Sequence, residues 1–222
     1  VTGYKIAADH TGFKVDGKAY TIPALAPAEV GLSLAAVVKL CQYLKVTVDP
    51  GFKQFISPPG RSSVFKGIKN TVLIDSTYNA IPDAVRAVLG LFDKYPARHK
   101  WLVISDMLEQ GESEAREHEA IAESIAGLDL DRIIVMGPRM SKHTAPKLRE
   151  LAGKKTKIQV FLKPRPVLDY LQEELKGGET ILFKGSRFLD GVVEHLLADP
   201  EDAAKLCRRG PVWQKRREQW GL

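Results

Sequence analysis

The chain has 222 residues, 44% hydrophobic and 27% charged, the make-up of one folded domain or one and a half. No run of 18 apolar residues occurs, which excludes a conventional spanning helix, and two cysteines, Cys41 and Cys207, exclude a disulfide framework or an all-cysteine zinc site. Much of the net charge of +6 sits in residues 207–222, CRRGPVWQKRREQWGL, which carry five Lys or Arg against one Glu.

The opening stretch VTGYKIAADHTGF has no Met and no secretory layout, so a piece excised from a longer cytoplasmic chain is expected. Residues 12–22, GFKVDGKAYTI, read as a hairpin turning at Asp16-Gly17, a pair suited to a type I′ turn. Val30, Leu34, Val37, Val38, Cys41 and Leu44 recur at helical spacing and predict a helix over 28–44, with Cys41 a small core residue. A second short helix is expected from Asp49. SPPGRSS, 57–63, then reads as a joint between domains.

Past the joint, short β-rich runs alternate with helical patterns. The strand-helix pairs are 70–75 with 82–94, 100–105 with 113–126, 132–137 with 144–152, 157–162 with 165–176, and 179–185 with 187–197. This is the pattern of βαβ units, and near-continuous apolar strands such as IIVM suit a sheet covered on both faces. An open, mostly parallel α/β sheet with helices on both faces is expected. Its ligands would lie beyond the carboxyl ends of the strands. For the basic tail a solvated terminal helix with Trp213 and Trp220 tucked against the domain is favoured over a nucleic-acid contact.

The loops after the strands hold the polar residues. Asp75 could accept two hydroxyls of a ribose, with Tyr78 and Asn79 beside a purine; it could equally cap the next helix. Lys184, Gly185, Ser186 and Arg187 could bind phosphate or carboxylate, or form an ordinary strand-to-helix turn. His118 on its amphipathic helix reads as a structural hydrogen-bonder or a surface residue. The five histidines lack metal-ligand spacing, so no zinc or iron site is expected. No phosphate-cradling G-x-x-x-x-G-K-[ST] loop occurs, so any ATP would be held here by its nucleoside end.

DSTYNAIPDAVRAVLGLF, ISDMLEQGESEAREHEAIAESI and ILFKGSR, in that order, resemble the C-terminal domain of the Mur ligases, in particular the MurF branch, and PPGR resembles a P-G-R element preceding them. Residues 12–55 are similar to the end of the central domain of that family. There are departures: Ser76-Thr77 stand where the family has Asp-Ser, Ile81 where it has Asn, Ser105 where it has Gly, and Ala26, Glu29 and Val30 where its central domain has a His- and Asn-containing pattern.

The resemblance implies residues 1–57 as the end of a central ATPase domain, 58–200 as a C-terminal domain and 201–222 as a basic tail. It implies an ATP-dependent amide-forming ligase of peptidoglycan precursor synthesis that works through an acyl phosphate. ATP and Mg²⁺ would be the cofactors, with the phosphate and metal sites in the missing part. By matching motif, Asp75 would bind ribose, Arg61 would sit by the nucleotide, and Tyr78 and Asn79 would touch the adenosine side. Lys184, Ser186 and Arg187 would face the incoming dipeptide or a closed interdomain cleft. The implied partners are the remaining domains of the same chain, a UDP-MurNAc-peptide and a D-Ala-D-Ala-like amine. No membrane or nucleic-acid partner and no activity of this piece alone are expected. The other readings are a ligase resembling folylpolyglutamate synthase, against which Tyr78-Asn79-Ala80 speaks, and a non-catalytic nucleotide- or nucleic-acid-binding module.

Overall fold

Asp16 and Gly17 both adopt positive φ, 50° and 80°, as the inner pair of a type I′ turn requires. They close the hairpin of an antiparallel sheet made of β1 (Thr2–Ile6), β2 (Thr11–Val15) and β3 (Lys18–Ile22). The structure is a computed structural model and describes residues 1–222 except Lys154 and Arg187. By its internal contacts the chain divides into two units, residues 1–58 with 87–96, and residues 59–86 with 97–222.

The first unit packs Phe13, Val15, Tyr20 and Ile22 of the sheet against Ala35 and Val38 of α1 (Ala28–Tyr43). The other side of α1 leaves Leu32, Leu40, Tyr43 and the adjoining Leu44 exposed. β1, whose side chains are mostly exposed, was not legible as a strand. The helix expected from Asp49 does not form. The Asp49 carboxylate instead accepts from the N–H groups of Gly51 and Lys53, at 2.9 and 3.1 Å, giving the backbone a local alternative to the helix.

α2 (Pro82–Lys94) contributes residues to both units. The second unit is a six-stranded sheet. It begins with β4 (Ser63–Gly67), an edge strand absent from the sequence expectation, which runs antiparallel to β5 (Thr71–Ser76). There follow β6 (Lys100–Ser105), α3 (Glu114–Ala126), β7 (Arg132–Met136), a π-helical turn leading into α4 (Ala145–Leu151), β8 (Lys157–Phe161), α5 (Pro164–Glu174), β9 (Thr180–Lys184), α6 (Leu189–Glu194) and α7 (Pro211–Glu218). The strand order is β4-β5-β9-β6-β7-β8, and every pairing other than that of β4 is parallel.

Side chains alternate across this sheet, as strand geometry demands. Leu73, Trp101, Val103, Ile134, Met136, Ile181 and Phe183 share a core with Val167, Leu171, Leu189, Val192 and Val193 of α5 and α6. Their neighbours Ile74, Leu102, Ile104, Ile133, Val135 and Leu182 are equally buried, so both faces are covered. The last strand in the sequence, β9, lies between the first two parallel ones. The connections therefore reverse direction around β5, β9 and β6, and a crevice at their carboxyl ends is where open α/β sheets take ligands.

Residues 201–222 belong to this unit. Leu206 enters the α5–α6 core, and the rings of Trp213 and Trp220 lie 6.3 and 6.1 Å from that of Phe188. The tail arginines, expected in solvent, turn inward: Arg217 is buried, and Arg208 and Arg209 are partly so. Among the described residues no helix is long and apolar enough to cross a membrane.

Candidate functional site

Asp75 ends the apolar run of β5 and bends the chain. Its Oδ1 accepts from the N–H of Thr77 at 3.0 Å and from the Thr77 hydroxyl at 2.6 Å, an Asx-type turn. The side chain is fully buried, and Oδ2 has no hydrogen-bond partner among the described residues. Burial pushes its carboxyl up from the usual carboxylate range, against the Thr77 hydrogen bonds and Arg208. Neither oxygen reaches the surface. The carboxylate shapes the loop from beneath, where the sequence had suggested a group offered to a sugar.

The residues that follow do face outward. The Tyr78 N–H donates to the Gly60 carbonyl at 3.2 Å, and the residue is 48% exposed. The exposed guanidinium of Arg61 lies over that ring, 4.6 Å from its centroid, in cation–π geometry. Asn79 folds its Oδ1 onto the N–H of Ala80 at 2.8 Å and offers its carbonyl to Lys184 Nζ, also at 2.8 Å.

Lys184 stands beside Ser76 in the β5–β9 register. It is buried, and desolvation, with Arg61 adding to it and Asp75 opposing, lowers its ammonium pKa to about 8. Arg61, Asp75, Tyr78, Asn79 and Lys184 therefore form one cluster at the topological switch.

The group expected from the KGSR stretch comes apart. Lys184 joins the β5 loop. Ser186 is buried, with its N–H on Ser105 Oγ at 2.8 Å and its hydroxyl on the Asp106 carbonyl at 3.2 Å, and it braces β6 against β9 rather than lining a cleft. Arg187 lies outside the described residues.

The loop after β6 is also internal in its bonding. Asp106 Oδ1 accepts from the N–H groups of Arg139 and Met140, at 3.1 and 2.9 Å, and Arg139 Nε reaches Glu114 at 2.5 Å, which holds the Glu114 carboxyl below its usual range. His118 is fully buried, in keeping with the structural reading of it. Its Nδ1–H donates to the Glu114 carbonyl at 2.7 Å, and its Nε2 accepts the Met107 N–H at 3.2 Å, so both ring nitrogens are committed to backbone.

One participant was missed. Arg208 donates from Nη1 to the Thr77 carbonyl at 2.9 Å and from Nη2 to the Tyr78 carbonyl at 2.5 Å. Asp190 and Glu194, a turn apart on α6, receive the tail arginines, and that i, i+4 carboxylate pair was the only hint in the sequence.

A family model for the Mur ligase, glutamate ligase domain, matches residues 60–187. The UDP-N-acetylmuramoyl-tripeptide–D-alanyl-D-alanine ligase of Mycobacterium leprae is 29% identical over 177 residues, 73% of this chain and 33% of the relative. The enzyme of the same name from Bacillus subtilis is 27% identical over 143 residues, covering 63% and 31%. The chain spans about a third of the length of the curated relatives it matches. Among solved structures, MurF from Acinetobacter baumannii superposes with a TM-score of 0.72 at 24% identity, over 89% of this chain and 44% of that one. MurF from Thermotoga maritima, solved in complex with ADP, gives 0.68 at 22% identity, over 97% and 46%. At these identities the superpositions establish a shared fold.

Proposed function

The chain belongs to the Mur ligase family, and from that premise we propose that it supplies the nucleoside side of the nucleotide site in an ATP-dependent ligase of peptidoglycan precursors. The observation that carries this reading is the Arg61–Tyr78 pair, an exposed aromatic ring and a guanidinium 4.6 Å from its centre, at the reversal point of the sheet. A ring and a planar cation are the surfaces on which adenosine stacks, and exposed Asn79 adds an amide next to them. Asp75 braces that loop through Thr77 rather than meeting the sugar as the structure stands.

The names of the relatives give the reaction its content: a D-alanyl-D-alanine-like amine joined to a UDP-MurNAc-linked peptide. The peptide carboxylate takes the γ-phosphoryl group of ATP as ADP leaves, and the amine attacks the acyl phosphate, losing a proton as inorganic phosphate departs and the amide forms. Mg²⁺ would neutralise charge on the phosphates when bound, in the preceding part of the parent, where the phosphate loop would also lie. Residues 1–57 are proposed as the end of that central domain. The exposed Leu32, Leu40 and Tyr43 of α1 support this, since an apolar helix face of that extent suits a surface that further chain covers. Lys184, held by Asn79, would add positive charge beside the nucleotide.

By itself this chain is proposed to bind ADP weakly and to turn nothing over. Titrating ADP into the ¹⁵N-labelled chain tests the reading. Shifts centred on Arg61 and Tyr78, lost in Tyr78→Ala, are expected; no shift at millimolar ADP, or shifts elsewhere only, would overturn it. A nucleic-acid role for the tail is disfavoured because Arg208, Arg209 and Arg217 are engaged by Asp190 and Glu194.

A further inference from the structure

We propose that Arg208 is a positioning residue for the nucleoside loop: its guanidinium fixes the backbone of residues 77–79 and so sets how Tyr78 is presented. The proposal rests on the nucleotide reading above and deepens it.

Two consecutive carbonyls, those of Thr77 and Tyr78, receive the two terminal nitrogens of one guanidinium. A rigid planar fork that bonds both oxygens fixes their relative orientation, and with it the peptide plane from which the Tyr78 ring projects. The same guanidinium lies 6.0 Å from the Tyr78 ring centroid and 5.7 Å from that of Trp213. Next to it, the Cys207 thiol sits 3.6 Å from the Thr77 hydroxyl, the group that answers to Asp75. The loop is thus braced from below by Asp75 and from outside by the tail.

Arg208 is itself held. Its backbone sits at φ +57°, in the left-handed region that side-chain-bearing residues occupy only where surrounding contacts enforce it. Those contacts are present: Arg217 Nη1 donates to the Arg208 carbonyl at 2.8 Å, and buried Asp190 lies 3.4 Å from Arg208 Nη1. Asp190 and Glu194 also receive Arg209, at 3.4 and 2.8 Å, and Arg217, at 3.7 and 3.5 Å. Three guanidiniums on two carboxylates leave one cation in excess, and Arg208 is the one that turns most of its donors to the loop. A lysine would bring the charge without the fork.

The test compares the full 222-residue chain with Arg208→Ala, Arg208→Lys and, as a control, Arg216→Ala, whose exposed side chain stacks on Trp213 and does not touch the loop. Two quantities are read: amide hydrogen exchange at residues 77–80 and the Kd for ADP by NMR titration. Arg208→Ala should speed exchange at 77–80 by about tenfold or more and weaken ADP binding about tenfold, Arg208→Lys should fall between, and Arg216→Ala should do neither. A purely structural role would instead raise exchange alike through α6, α7 and the loop, with Arg208→Lys behaving as the parent, and that would overturn the proposal. So would unchanged exchange at 77–80, or a loosened loop with ADP affinity intact. If Arg208→Ala does not fold, Arg208→Lys carries both readouts. If the unaltered chain takes no ADP, the nucleotide reading falls, and the exchange data alone decide whether Arg208 sets the loop.

Discussion

Ser105 and Ser186 hold each other across the carboxyl ends of β6 and β9: the Ser105 hydroxyl donates to the Ser186 carbonyl and accepts from the Ser186 N–H, both at 2.8 Å. The exchange is possible because Gly185, at φ +144°, has no Cβ; one built there would stand 2.1 Å from Ser105 Oγ. Ser105→Ala leaves two buried backbone groups unsatisfied and should cost about 1–3 kcal/mol. That lowers Tm by several degrees at this chain length, roughly 2–4 °C per kcal/mol. Gly185→Ala should cost more, since it adds strain to the same loss. Thermal melts followed by circular dichroism decide it. A Ser105→Ala melt that overlays the parent would mean the pair contributes nothing.

Lys184 should titrate with a midpoint near 8, read from its ¹³Cε shift. Burial and the Arg61 charge lower the value and Asp75 raises it, so the two neighbours give opposite signs. Arg61→Gln should move the midpoint up towards the ordinary lysine value, and Asp75→Asn should move it down. Because the folded pKa is depressed, the unfolded chain binds the extra proton between about 8 and the ordinary lysine value of 10.5. The cost of burying the ammonium is therefore present below pH 8 and fades as pH rises through that window. Midpoints that move the same way in both variants would refute this arrangement of charges.

Asp75 gives the converse case. Its folded pKa is raised, mainly by burial. The folded state then holds a proton that the unfolded state has lost, so stability falls as pH rises from the usual carboxylate range through the folded value. Asp75→Asn keeps an acceptor for Thr77 and removes the buried charge. It should be at least as stable as the parent at pH 7, with a flatter pH dependence. If Asp75 is a brace, parent and variant should also lose the same factor in affinity between ADP and 2′-deoxy-ADP. Discrimination that disappears in Asp75→Asn would restore a direct bond to the sugar.

Much of the second unit was legible because its inner strands are near-continuous apolar runs and its helices amphipathic. Thr71–Ser76, Lys100–Ser105 and Pro82–Lys94 fall within a residue or so of the sequence limits. β4 escaped because SVFKG is only five residues long and alternates in burial, so no run of apolar residues marks it. At the candidate site, one-dimensional reading placed the polar loops at the strand ends, where they lie, but not their internal bonding. The KGSR run looks like a unit in sequence. The strand ends at Lys184 and the chain turns at Gly185, φ +144°, so Lys184 meets Asn79 while Ser186, past the turn, meets Asp106. The tail misled because arginine pairing depends on where α6 places Asp190, a contact across 18 residues in sequence that composition does not encode.

His118 provides the last check, since the sequence left it open between a structural hydrogen-bonder and a surface residue. Its two ring nitrogens bridge the Met107 N–H and the Glu114 carbonyl, joining the exit of β6 to the first turn of α3. His118→Leu keeps the volume and deserts both groups, so a loss of about 2–4 kcal/mol is expected, seen as a Tm lower by roughly 5–15 °C. His118→Gln can return an acceptor to Met107 but no donor to Glu114 in the same pose, and it should recover part of that loss. Its effect on ADP affinity should be small where the variant is folded, because no atom of the imidazole reaches the Arg61–Tyr78 surface. A variant as stable as the parent but unable to support turnover in the longer ligase proposed above would move His118 from the scaffold into the chemistry.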